Sequence, residues 1–208
     1  MAFPNAYVST DEPPRRSAAA RALCAAAVGG IGYLGLVILA LSLATRGYSP
    51  VTQMASDYGV GPYAFWMDSG FFAAGLGFAS LGAVLAVSHR ERAQRAGGAL
   101  LVLAGAMLIV NAFNATDVEG AAATFHGTVH NMAGATFFLT APIGLVLAGR
   151  GFGPSWFAFV LAAFAAAALS LAVDSAMGLG AAGLVERLVI LVTFGSAVLT
   201  AAKVYRES

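Results

Sequence analysis

The sequence predicts an all-α, polytopic membrane bundle of six transmembrane helices with both termini in the cytoplasm. Three observations carry that expectation. Of 208 residues, 59% are hydrophobic and only 10% are charged, with a mean hydropathy of +0.80. A soluble domain carries about 25% charged residues, so this chain has too little charge to cover a water-facing surface. Apolar runs recur along the chain at lengths that match a hydrocarbon core of about 30 Å. Between them, arginine and lysine fall in alternate connections.

The elements follow in order. Residues 1–21 are polar and contain Asp11, Glu12, Arg15, Arg16 and Arg21, which reads as a mobile cytoplasmic tail. The transmembrane domain is assigned to 22–203, and 204–208 form the cytoplasmic C-terminus. Residues 22–45 hold no charge and exceed the about 7–15 apolar residues of a secretory signal, so they are read as a retained first helix. A turn-rich connection, 46–62, leads into a second span over 63–88, with Tyr58, Tyr63 and Trp66 at headgroup level. The cluster His89-Arg90-Glu91-Arg92-Ala93-Gln94-Arg95 marks a tight basic loop before a third span over 97–113.

Thr116 and Glu119 match a capping box, which places the start of the fourth helix at Asp117. That helix is expected to run to Ala148, interrupted or kinked at Pro142. The fifth span covers 156–173 and ends at Asp174. The sixth covers 181–202, with Glu186 and Arg187 in its first turns. Gly75, Ala79 and Ala83 supply a small-residue seam for close helix packing.

Loops this short make up-and-down hairpins, and the positive-inside rule orients them. Arg15, Arg16, Arg21, Arg90, Arg92, Arg95, Arg150, Lys203 and Arg206 then share the cytoplasmic side, against Arg46 and Arg187 opposite. Asp57, Asp68, Asp117, Glu119, Asp174 and Glu186 gather at the outer side with His126 and His130. Ionisable groups at membrane depth cost several kcal/mol and turn to a protein interior or a wet cavity, so the outer half of the bundle is where a site is expected. The inner halves of helices 2 to 6 lack such groups, which argues against a continuous proton or ion path.

His126 and His130 lie one helical turn apart and share a face with Glu119. Two histidines at that spacing can reach one metal ion, and a catalytic zinc needs a third protein ligand. His89 is on the other side, so that ligand would come from Asp57, Asp68, Asp117, Glu119 or Asp174. The alternatives are a non-metal polar site and simple interhelical hydrogen bonding. Arg187 either pairs Asp174 or Asp117 across the bundle mouth or binds an anionic headgroup. The net charge of +1 suggests no nucleic-acid partner, and no Lys/Arg run looks like a phosphate-binding patch. The single cysteine, Cys24, excludes an internal disulfide and any multi-cysteine metal site.

The stretch from Tyr48-Ser49-Pro50 through Ser56-Asp57-Tyr58-Gly59 resembles the first-loop signature of the prokaryotic membrane proteins grouped as domain of unknown function 998. Phe113-Asn114-Ala115-Thr116-Asp117, then His126-Gly127-Thr128-Val129-His130, and Gly183-Leu184-Val185-Glu186-Arg187 extend that resemblance over about residues 24–203. It implies the six-helix topology and no activity. A more distant similarity is to the alkaline ceramidase and adiponectin-receptor hydrolases, which use a His-x-x-x-His pair around zinc. Here the helix count, the helix bearing the pair and the missing third outer histidine all depart from that pattern.

The expected function is that of a multi-pass cell-membrane protein binding a lipid, a small ligand or another membrane protein at its outer mouth. His126, His130, Asp57, Asp68, Asp117, Glu119, Asp174 and Arg187 are its candidate residues. The alternative is a metal-dependent hydrolase of a lipid or amide. His126 and His130 would then hold a divalent ion such as zinc, and Asp57 or Asp117 would complete the site or act as base.

Overall fold

The computed structural model describes residues 18–88, 91–118 and 121–206. The tail 1–17, His89, Arg90, Glu119, Gly120 and the last two residues lie outside that set. Among the described residues there are six helices long and apolar enough to cross a membrane, and no strand. They are α1 (Ala18–Ala44), α2 (Ala64–Ser88), α3 (Arg92–Asn111), α4 (Phe125–Arg150), α5 (Pro154–Met177) and α6 (Ala182–Arg206), with a short 3₁₀ turn at Ala55–Gly59.

The centre of the bundle is α2, which packs on α1 and α3; α4 packs on α3, and α6 closes onto α1. Met67, Phe71, Ala74, Phe78, Leu81 and Leu85 fill the interior from α2. Close approach comes from glycine. A Cβ on Gly82 would stand 2.5 Å from the Gly98 carbonyl, and one on Gly98 would stand 2.5 Å from the Gly82 carbonyl. Gly75 and Ala79 meet Gly105 one step along the same seam. The expected seam therefore exists, and it continues through Gly82, one residue before the Ala83 that spacing selected. Without a hydrophobic drive between helices in lipid, such backbone contact is a main source of association.

Several boundaries differ from the sequence expectation. α3 begins at Arg92, so residues 92–95 of the basic cluster are helical rather than loop, and His89 and Arg90 lie outside the described residues. α4 begins at Phe125, not Asp117, and runs unbroken through Pro142. α5 extends past Asp174 to Met177 and stops at Gly178, whose φ of 58° is the left-handed conformation that favours glycine.

α5 is the outlier in packing. Only Val160 and Ala167 of its residues are buried, and from Ala168 onward its side chains are exposed or half-buried. Among the described acids, Asp57, Asp68, Asp117, Asp174 and Glu186 lie at one end of the bundle, while Glu91 precedes α3 at the opposite end. Arg92, Arg95, Arg150, Lys203 and Arg206 lie at the other.

Candidate functional site

The start of α4 is set by a relay that the capping-box pattern did not capture. Thr124 is the N-cap, and its hydroxyl accepts from the Gly127 N–H at 3.0 Å. The same hydroxyl donates to Asp117 Oδ1 at 2.6 Å, while the Thr124 N–H donates to Asp117 Oδ2 at 3.1 Å. Asp117 thus folds back over the helix start from the preceding loop. Gly127 is there because a Cβ would collide with the Asp117 carboxylate. The two Thr124 donors hold the Asp117 carboxyl below its ordinary value by stabilising the charged form.

Asn114 gathers both histidines. Its Nδ2 donates to the Val110 carbonyl at 2.8 Å, which leaves its Oδ1 to accept from His126 Nδ1 at 2.9 Å. Its backbone carbonyl accepts from His130 Nδ1 at 2.8 Å. A carbonyl only accepts, so His130 carries its proton on Nδ1 and keeps a lone pair on Nε2 when neutral. The two residues differ in setting. His126 is exposed, whereas His130 is 6% exposed and lies edge-on to Phe71 at 5.9 Å between ring centres.

The connection between α1 and α2 folds over this end of the bundle and is clamped by α6. Arg187 Nη1 donates to the carbonyls of Pro50, Gln53 and Gly183 at 2.8–3.0 Å. Its guanidinium lies over Tyr48 and Tyr58 at 5.7 and 6.0 Å, and those rings meet at 4.2 Å between centres, tilted by 30°. Cation–ring attraction of this kind strengthens once water is excluded. Tyr48 donates to the Met54 carbonyl, and burial pushes its phenol up to about 12, so it stays protonated. The Leu184 N–H donates to the Val51 carbonyl at 2.9 Å, and Gly183 admits the Gln53 backbone. Glu186 accepts from the Ala55 N–H. Asp57 accepts from the Met54 N–H at 3.0 Å and so shapes the same turn.

Beneath this clamp is a cavity of about 570 Å³. Met54, Ala55 and Ser56 roof it, and α5 contributes one wall with Phe164, Ala168, Leu171 and Asp174. Phe137, Phe138 and Phe194 form its apolar depth, with Phe137 and Phe194 packed on Phe78 at 5.2 and 5.7 Å. Polar groups occur towards the acidic end: Ser56, Asn111, His130, Asn131, Asp174 and Glu186. From Ala182 to Phe194 on α6 the lining spans about 18 Å at 1.5 Å per residue, close to one leaflet of a core about 30 Å thick.

The candidate residues therefore separate. His130 and Asp174 face the cavity, and Asp174 Oδ1 also accepts from the Ala181 N–H at 2.9 Å. Asp117 caps α4, Asp57 orders the 55–59 turn, and Asp68 sits in α2 beside Gly59. The guanidinium hydrogen bonds of Arg187 go to backbone carbonyls, not to Asp174 or Asp117. Glu119 lies outside the described residues. Among the described residues, no three His, Cys, Asp or Glu side chains form a metal-holding group. Sequence reasoning left Asn111, Asn114 and Glu186 out of the site. The available signal was an amide inside an otherwise apolar run, since a polar side chain at membrane depth needs a partner.

Helices of this length and composition, packed through glycine seams around a polar-ended cavity, define a multi-pass helical membrane protein. Within that class the chain belongs to the family described as "Protein of unknown function (DUF998)", which matches residues 26–203. Comparisons with the curated proteins and with the solved structures give no match.

Proposed function

We propose that this protein binds an amphiphilic lipid-like molecule within the membrane, its chain in the phenylalanine-lined depth and its headgroup at the acidic end. The observation that carries this reading is the cavity itself. Its volume of about 570 Å³ falls in the range of about 300–1,000 Å³ typical of small-molecule sites. Its length suits one leaflet, and its polar groups lie at one end. The loosely packed end of α5 offers access from the side, because the roof above is tied to α6 by the Arg187 and Glu186 bonds. The arginine distribution favours an outer-leaflet setting for the acidic end under the positive-inside rule.

A photoreactive alkyl-chain lipid tests this reading. Saturable labelling of Phe164 and Ile190, competed by unlabelled lipid, is the expected result. Labelling that rises without saturation and matches that of lipid-facing Leu36 would remove the basis for a site.

A further inference from the structure

We infer that the headgroup held at the polar end donates hydrogen bonds and carries no negative charge, as an amine or hydroxyl headgroup on a single chain would. This rests on the binding reading above and specifies its ligand.

Asn111 is 3% exposed, lines the cavity, and its side-chain oxygen is buried without a hydrogen-bond partner. A buried acceptor in that state is costly unless something donates to it. His130 lines the same wall, and its Nδ1 proton is committed to the Asn114 carbonyl, so its Nε2 is an acceptor in the neutral ring. Asp174 and Glu186 add carboxyl groups to the lining. Among the described residues no lysine or arginine lines the cavity. The nearby cation, Arg187, is outside the lining: its Nη1 is held by three backbone carbonyls beside the Tyr48 and Tyr58 rings, and its Nε and Nη2 are buried without a hydrogen-bond partner. A sulfate, phosphate or carboxylate headgroup would find the donors of Ser56 and Asn131 but no cation in the lining, and would set its negative charge beside Asp174 and Glu186. An ammonium or polyol headgroup supplies the missing donors, and an ammonium also answers the carboxyl groups.

The test is affinity for three probes with one chain length: tetradecylamine, monomyristoylglycerol and tetradecyl sulfate, measured on the full chain in nonionic detergent. The amine and glycerol probes are expected to bind at least about tenfold more tightly than the sulfate. Asn111→Leu, close in volume, is expected to weaken both donors and leave the sulfate unchanged. Glu186→Gln, which keeps the shape and removes the carboxyl, is expected to narrow the advantage of the amine over the glycerol probe. Should Asn111→Leu not fold, the Glu186→Gln comparison still decides. Sulfate binding equal to or tighter than the amine overturns the headgroup inference while leaving the cavity as a lipid site. Failure of all three probes to bind overturns the cavity reading itself.

Discussion

The two flanks of α2 and the surroundings of α5 are built from different residues, and the contrast explains where a cavity can exist. α2 carries four glycines, at 70, 75, 77 and 82, and they admit backbone or side chains of α1 and α3 into direct contact. α5 is no less apolar, yet it has no glycine and is rich in alanine. Alanine permits a helix everywhere but forms no notch into which a neighbour's backbone can sink. Space left beside α2 would forfeit dispersion contacts on both sides. Beside α5 a lipid chain can supply them. Tight packing therefore falls where glycines on facing helices meet, and the cavity falls where one partner has none.

Substitution to leucine on the two sides should expose this contrast most plainly. Gly82→Leu drives a side chain into the Gly98 carbonyl and is expected to cost about 3 kcal/mol, as overpacking in a closed interface does. Ala166→Leu, on an exposed position of α5, should stay within about 0.5 kcal/mol. Thermal unfolding of both variants in one detergent checks the pair. Similar losses would mean that α5 is packed as tightly as α2.

A smaller effect is expected at the start of α4. Gly127→Ala displaces the Asp117 carboxylate, and amide exchange at Thr124 and Gly127 should accelerate without loss of the seam. The smallest effect is that of pH. The hydrogen bonds from Thr124 lower the Asp117 carboxyl from its ordinary value, so its contribution is complete above the unfolded-state value and is lost as pH falls through the folded-state value. Protection of these two amides, taken relative to their intrinsic exchange rates at each pH, should fall on acidification below about pH 4 and lose that dependence in Asp117→Asn. An unchanged profile would remove Asp117 from the cap.

The six spans were legible because span length and apolar composition are local properties of the chain. The position of the α4 start was not. Thr116-x-x-Glu119 satisfies the capping pattern, whereas Thr124 has glycine three residues on and draws its acid from seven residues earlier. Only the folded loop reveals that Asp117 serves a different threonine. The histidines were conspicuous by type, but their roles depended on Asn114, which binds one through its side chain and the other through its backbone. Arg187 invited pairing with an acid, yet its hydrogen-bond partners are backbone carbonyls, two of them in a connection more than 130 residues away. Asn111 gained its meaning only from the lack of a partner, and sequence spacing carries no record of that.

The central claim is that the space beside α5 holds a lipid-like chain. Native mass spectrometry of the purified protein tests it most directly, comparing the wild type with Val189→Trp, which fills the cavity wall, and with Leu36→Trp on the exposed face of α1. The account predicts a co-purifying amphiphile on the wild type and on Leu36→Trp, reduced at least about tenfold on Val189→Trp. Equal occupancy in all three proteins would contradict it.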